Sequence, residues 1–322
     1  MKIGITGVAG FVGSNLADVL IAEGHQIVGV DSLAMGTLDN LKQHEGSAAF
    51  TFHKVDVRDH VALRDTFRGV DTIVHLAAFK IPRYGNTLET LDVNTLGTRH
   101  VLEIARDGKR RAHFASTSDI YGKNPSVPFA ETSDSVLGPT TVARWSYAVS
   151  KLFDEHLAIA FNQAYESPVT ILRFFGSYGP RQHLSWWGGP QSVFISAVLK
   201  DEAIEIHGDG KQTRSFTYVS DLVNGIRRAI HYDTTPVAIF NLGNTQEVTI
   251  LELATLVQDL CATGRASKIK VIPYATFGNY EDVMRRIPDI SRARDLLGFE
   301  AHVELREGLT KTVAWQRAKL GF

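Results

Sequence analysis

Short apolar runs alternate with longer stretches of helical spacing through the first half of the chain. Residues 2–6 form an apolar run that ends in a glycine-rich turn, which predicts a buried strand. Across residues 11–23, Leu16, Val19, Leu20 and Ala22 recur at helical spacing, and Gly24 closes the pattern as a helix C-terminus often is. Residues 26–30 read as a second strand that ends on Asp31. Further strands are predicted at 50–55, 72–76, 112–116 and 169–173, with long helices at 87–106 and 146–165. Strands alternating with helices describe an α/β protein with a doubly wound parallel sheet.

The pattern changes after Pro180. Trp186-Trp187-Gly188-Gly189-Pro190 is irregular and aromatic, either a lid over a ligand or packed loop aromatics. A helix at 192–199 and a hairpin centred on His207-Gly208-Asp209-Gly210 are expected to follow, then helices at 219–231, 250–261 and 304–319. No low-complexity linker or internal repeat separates the halves. A second, smaller α/β unit is therefore expected to interleave with the first. Residues 1–176 would form the sheet domain with 215–243 returning to it, and 177–214 with 244–322 the smaller unit.

Composition narrows the classes. The 322 residues are 44% hydrophobic and carry a formal charge of −1, which is ordinary for a globular protein and excludes nucleic-acid binding by bulk charge. Cys261 is the single cysteine, so neither an internal disulfide nor a multi-cysteine metal site is possible, and no metal is expected. No apolar run is long enough to span a membrane, and the N-terminus runs directly into a strand without a signal pattern. A cytoplasmic protein without a membrane partner is expected.

The chemistry lies at the predicted strand ends. Gly7, Gly10 and Gly13, with Phe11 and Val12 between them, follow a strand and open a helix. Backbone there can approach a pyrophosphate at the positive helix end. Asp31, with Ser32 after it, ends the second strand, where a carboxylate accepts ribose hydroxyls and repels a 2′-phosphate. No Arg or Lys falls between Asp31 and Lys42, which favours NAD over NADP. Asp56-Val57 ends the third strand and could border the adenine. After the fourth strand, Leu76, Ala77 and Ala78 are small enough for a dinucleotide to cross the sheet edge, while His75 suits a packed, hydrogen-bonded role. Lys80 and Arg83 follow in a loop, as surface charges or as contacts to cofactor or substrate. Asn94, polar within a helix pattern, suits a bond to neighbouring backbone and is also a candidate cofactor contact. Thr117 lies in a hydroxyl cluster with Ser116 and Ser118. Tyr147 and Lys151 are four apart and share a helix face, where an ammonium lowers the pKa of a phenol.

In this order and spacing the motifs resemble the extended short-chain dehydrogenase/reductases of the NAD-dependent epimerase/dehydratase group, which act on nucleotide sugars. The resemblance also draws on Tyr121-Gly122, Tyr178-Gly179-Pro180-Arg181 and Arg214-Ser215-Phe216-Thr217-Tyr218 and covers nearly the whole chain. It implies a Rossmann-like domain, NAD as cofactor, a UDP-sugar as substrate and a homodimer joined through the two long helices. It further implies Thr117 on the sugar hydroxyl, Tyr147 as general base and Lys151 on the nicotinamide ribose. Lys80 would approach the cofactor and the substrate, Arg214 would grip the substrate diphosphate, and Asp282 with Arg286 would contact the nucleotide.

Two departures bear on the reaction. The Asn that often precedes Tyr-Gly-Pro-Arg in relatives is Gly176 here. Thr117-Ser118-Asp119 lacks the Asp-Glu pair of the 4,6-dehydratases, which disfavours dehydration, and it is one methylene short of the Thr-Ser-Glu of UDP-glucuronate decarboxylases. Arg144-Trp145-Ser146-Tyr147 also resembles some decarboxylases. The leading expectation is an isomerase, a 4-epimerase of a UDP-hexose or of UDP-glucuronate, with Arg181 available to a C6 carboxylate. The alternatives are UDP-glucuronate decarboxylation, behind it a 4,6-dehydratase, and, more remotely, a non-catalytic dinucleotide-binding protein.

Overall fold

The structure is a computed structural model that describes residues 1–80, 86–261, 268–277 and 281–322. Arg83 lies outside the described residues.

Seven strands form one parallel sheet: β1 (Lys2–Thr6), β2 (Gln26–Asp31), β3 (Phe50–Lys54), β4 (Thr72–His75), β5 (Ala112–Thr117), β6 (Val169–Phe174) and β11 (Val237–Leu242). Their order is β11-β6-β5-β4-β1-β2-β3, so the winding reverses between β1 and β4. Ligands of doubly wound sheets bind at that reversal, beyond the carboxyl ends of the strands. Helices α1 (Phe11–Ala22), α2 (His60–Thr66), α3 (Thr87–Asp107) and α4 (Trp145–Tyr165) make the crossovers of this half. The strand and helix limits expected for the first half fall within about two residues of those observed, because each element carries its own burial pattern.

The second half adds β7 (Ser177–Tyr178), α5 (Pro190–Leu199), β8 (Ile204–His207), β9 (Thr213–Ser215), β10 (Thr217–Tyr218) and α6 (Val219–Ile230) before β11. After it come β12 (Glu247–Thr249), α7 (Ile250–Cys261), β13 (Ile269–Ile272), α8 (Ser291–Leu297) and α9 (Leu305–Leu320). The expected hairpin at His207–Gly210 does not form. Gly208 and Gly210 turn the chain at φ +77°, yet β8 pairs in parallel with β13 and β9 pairs antiparallel with β12. The glycines fix where the chain reverses but not which strand receives it.

One buried apolar cluster runs from Ile3 and Leu16 under the sheet to Phe194, Leu253 and Val313 in the second half. A second packs α3 and α4 against the opposite face through Leu102, Phe114, Ala158 and Ile171. The ends of β5 and β6 are tied by a buried polar network. Arg173 Nη2 lies 2.7 Å from Glu155 Oε2, and its Nη1 donates to Tyr121 Oη at 2.9 Å. Glu155 also accepts from the Ser116 hydroxyl. Such a pair contributes little net stability but costs about 3–5 kcal/mol to break from one side, so it fixes the strand ends beneath the site.

Candidate active site

A cavity of about 930 Å³ opens at the winding reversal. Gly7 leaves β1 at φ +72°, and a Cβ there would lie 2.8 Å from the Ala77 nitrogen. The loops after β1 and β4 thus touch only because Gly7 has no side chain. Gly10 caps α1 without a side-chain hydrogen bond, so the first-turn N–H groups stay available to an anion. Asp31 Oδ2 accepts from Ala9 N–H at 3.0 Å and Oδ1 from Leu33 N–H at 2.8 Å. Burial raises its pKa against those two bonds. The glycine loop with Phe11 and Val12, Asp31, Ser32, Asp56, Val57, Leu76, Ala77, Ala78, Lys80, Tyr147 and Lys151 all line the cavity. Two cations that sequence proximity did not reveal also line it, Arg58 and Lys319. Both are engaged, Arg58 by Asp56 at 2.6 Å and Glu89 at 3.1 Å, Lys319 by Asp39 at 2.8 Å. A glycine cradle ending at a helix start and an acidic strand end fit a dinucleotide without a 2′-phosphate.

Asn94 does not line the cavity. It is fully buried, accepts from Phe79 N–H at 2.8 Å and donates to Phe79 C=O at 3.1 Å and to Ser150 Oγ at 2.9 Å. Its work is to hold the loop after β4 against α4, which replaces the expected cofactor contact with the backbone role. His75 is equally structural, with Nδ1 2.7 Å from Thr6 Oγ1.

The oxidation residues converge. Thr117 ends β5 and its Oγ1 accepts from Asp119 N–H at 3.2 Å. Tyr147 lies in the first turn of α4 and lines the cavity together with Thr117. The Tyr147 pKa is pushed above the ordinary phenol value, by burial first, with Asp119 and Asp154 adding and Thr117 and Arg286 opposing. This corrects the expectation of a lowered value. The Lys151 ammonium is paired with Asp154 Oδ2 at 3.3 Å, which offsets its charge, and burial disfavours the phenolate.

Beyond Thr117, five charged side chains from four segments interlock. Arg286 Nη2 lies 2.8 Å from Asp119 Oδ1, and Arg144 Nη2 lies 3.5 Å from the same oxygen. Arg144 Nη1 and Arg214 Nη2 share Asp282 Oδ1 at 3.0 and 2.9 Å, while Tyr274 Oη donates to Asp282 Oδ2 at 2.6 Å. Burial works to raise the Asp119 pKa, but Arg286, Arg144 and Arg214 outweigh it and hold the carboxylate below its ordinary range. Asp282 is held lower still by Arg214 and Arg144. Burial pushes Lys80 down to about 8, with Asp119 opposing.

Lys80, Thr117, Ser118, Asp119, Tyr147, Arg181 and Arg286 line the cavity; Arg214 and Asp282 do not. Those two stand behind its wall, bonded to each other. Arg181 Nη2 is bound to Asp18 of α1 at 2.7 Å, while its buried Nη1 has no partner and the side chain stays on the cavity wall. Arg144, which binds both Asp119 and Asp282, was not among the expected site residues. Its position three before Tyr147 was the available signal. The tryptophans split their roles: Trp186 stacks on His207 at 4.5 Å, whereas Trp187 meets Phe79 at 4.9 Å and lines the cavity. Gly176 also lines it, and a Cβ there would lie 2.8 Å from the Ser215 carbonyl, which accounts for the missing Asn.

A family model described as GDP-mannose 4,6 dehydratase matches residues 5–312. The chain belongs to this family of extended short-chain dehydrogenases/reductases. Its similarity to other members runs end to end. A UDP-N-acetyl-alpha-D-glucosaminuronate decarboxylase of Bacillus cytotoxicus is 35% identical over 97% of both chains. UDP-glucuronic acid decarboxylase 1 of Danio rerio is 37% identical over 98% of this chain and 72% of that one. Among solved structures, UDP-glucuronic acid 4-epimerase of Bacillus cereus, in complex with UDP-glucuronic acid and NAD, superposes with a TM-score of 0.89. It is 27% identical and covers 99% of this chain and 100% of its own. The decarboxylase relatives overturn the expectation that this family member is an isomerase. They belong to the lyases, and the Thr117–Tyr147–Lys151 set on which that expectation rested does not tell the two classes apart.

Proposed function

We propose that the protein decarboxylates a UDP-linked uronic acid to a UDP-pentose and CO₂, with NAD as its resident cofactor. The likeness to uronic-acid decarboxylases over 97–98% of this chain carries the reading. The geometry supports it through the Asp119–Arg286 pair on the wall that also holds Thr117 and Tyr147. When bound, NAD supplies a two-electron acceptor that returns the electrons within one turnover. Tyr147 in its phenolate form, which the Lys151 ammonium favours and burial opposes, takes the proton of the sugar 4-hydroxyl while Thr117 hydrogen-bonds the same oxygen. With C4 oxidised the sugar is a β-keto acid. The C5–C6 bond breaks, its electrons pass to the C4 oxygen and CO₂ leaves. C5 takes up a proton, and Tyr147 returns its own to the C4 oxygen as the carbonyl is reduced. Arg286 steers the anionic sugar in, while Asp119 beside it repels a carboxylate and favours its departure as a neutral molecule.

The two curated relatives differ in whether the sugar carries an N-acetyl group, so the class proposed is a UDP-uronate with either C2 substituent. Incubation with UDP-glucuronate and with UDP-N-acetylglucosaminuronate, with CO₂ trapped and products read by NMR, tests the proposal. Stoichiometric CO₂ from either supports it, and a product that keeps its carboxylate refutes it. We further propose a homodimer formed by a second copy across α3 and α4, which expose Leu88, Leu96, Val149 and Phe153. No helix among the described residues is long and apolar enough to cross a membrane.

A further inference from the structure

One buried acid beside Lys151 takes no part in the mechanism above. Asp154 lies three residues beyond Lys151 on α4, and its Oδ2 is 3.3 Å from the Lys151 ammonium. Both side chains are buried, at 5% and 2% exposure. Thr98 of α3 faces the carboxylate without closing a hydrogen bond of good geometry, so Asp154 Oδ1 has no partner. An unsatisfied buried carboxylate is costly unless a charge holds it. The neighbouring acid on α4, Glu155, is taken by Arg173 of β6 and Ser116 of β5. His75 of β4 faces Lys151 with its pKa well below the ordinary value, through burial and then that ammonium, so it offers no counter-charge. Asp154 is therefore the counter-ion of the lysine that lines the cavity beside Tyr147.

We propose that Asp154 is a positioning residue for the oxidation step, holding Lys151 as an ammonium and fixing where that charge lies relative to the Tyr147 oxygen. Asp154 lines no part of the cavity and acts through Lys151 alone. Burial raises the Asp154 pKa to about 6, with Lys151 and Thr98 opposing and Glu155 adding. The clamp is thus complete above about pH 6 and loosens as the carboxylate protonates below it.

The inference rests on the proposed oxidation at C4, and the test separates the two. Asp154→Asn keeps shape and removes charge. Competitive acetylation of Lys151 in the intact protein, followed by mass spectrometry across pH, reads the ammonium without any turnover. Labelling is expected to begin at lower pH in D154N than in the parent, because a buried ammonium loses its partner. The alkaline limb of kcat on the active UDP-uronate should move down with it, and Asp154→Glu should restore both. An unchanged labelling onset overturns the proposal. So does a lowered melting temperature with an unmoved alkaline limb, the signature of a purely structural acid. If neither uronate turns over, the oxidation reading fails by itself and the labelling onset still decides the role of Asp154.

Discussion

The two ends of the cavity are built in opposite ways. At the glycine-loop end the backbone does the work: Gly7 lets two loops touch, Gly10 leaves N–H groups available, and Asp31 is oriented by two amides. At the far end side chains do it, with Asp119, Arg144, Arg214, Asp282 and Arg286 arriving from four segments to satisfy one another. A backbone site reads as a contiguous motif and is fixed once its turn forms. A side-chain cluster has no local signature and exists only when the whole chain is folded. On the proposed function, binding of the common cofactor belongs to the first kind and the choice of reaction to the second.

Variants at the two ends should therefore fail differently. Tyr147→Phe removes the proton acceptor and should lower turnover by about 10²–10⁴-fold, with NAD affinity, measured by titration, left intact. Loss of NAD binding in that variant would show that the ends are not separable. Arg286→Gln leaves Asp119 without its 2.8 Å partner. A misplaced group of this kind costs on the order of 10²-fold in kcat, and steady-state kinetics at saturating NAD should show it while NAD affinity holds. Asp31→Asn acts at the other end. It weakens the charge-assisted hydrogen bonds expected to the ribose, worth about 1.5–3 kcal/mol, so NAD affinity should fall at least about tenfold while kcat at saturating NAD stays near the parent value. An equal fall in kcat would contradict the division. The smallest effect on chemistry is expected from Phe153→Glu on the exposed face of α4. It should convert a dimer to monomers by mass photometry and leave turnover per chain within about twofold, the size of a surface change of a few tenths of a kcal/mol.

What was legible in the sequence follows the same division. Six strands of the central sheet, the helices α1, α3 and α4, the glycine loop, Asp31 and the Thr117–Tyr147–Lys151 set were readable, because each is set by neighbours a few residues apart, whereas the short α2 was not read and β11 was expected only as a return of residues 215–243 to the sheet. The pairing of β8 with β13 was not, since turn glycines do not name a partner strand. Asn94 was read both as a cofactor contact and as a backbone bond, and only the fold, which buries it against Phe79 and Ser150, separates them. Arg181 was assigned to the sugar by its charge, and the fold adds a partner for one of its nitrogens, Asp18 at 2.7 Å, on a distant segment that charge alone does not name. Arg144 was passed over because its two carboxylates lie on distant segments. The isomerase reading failed for a chemical reason: the oxidation residues are common to both reactions.

The seventh strand of the sheet carries a kinetic consequence. β11 pairs with β6 across residues 169–174 and 237–242, with β7 to β10, α5 and α6 strung between them. During synthesis, β6 is the outermost strand of a sheet already hydrogen-bonded on its other side, and its edge stays open until β11 emerges. An unpaired, apolar edge is a template for pairing with another chain, and non-local closure of this kind is slow. Nascent chains stopped anywhere between β6 and β11 should thus be the aggregation-prone intermediates of this protein, whereas chains that extend past Leu242 should not.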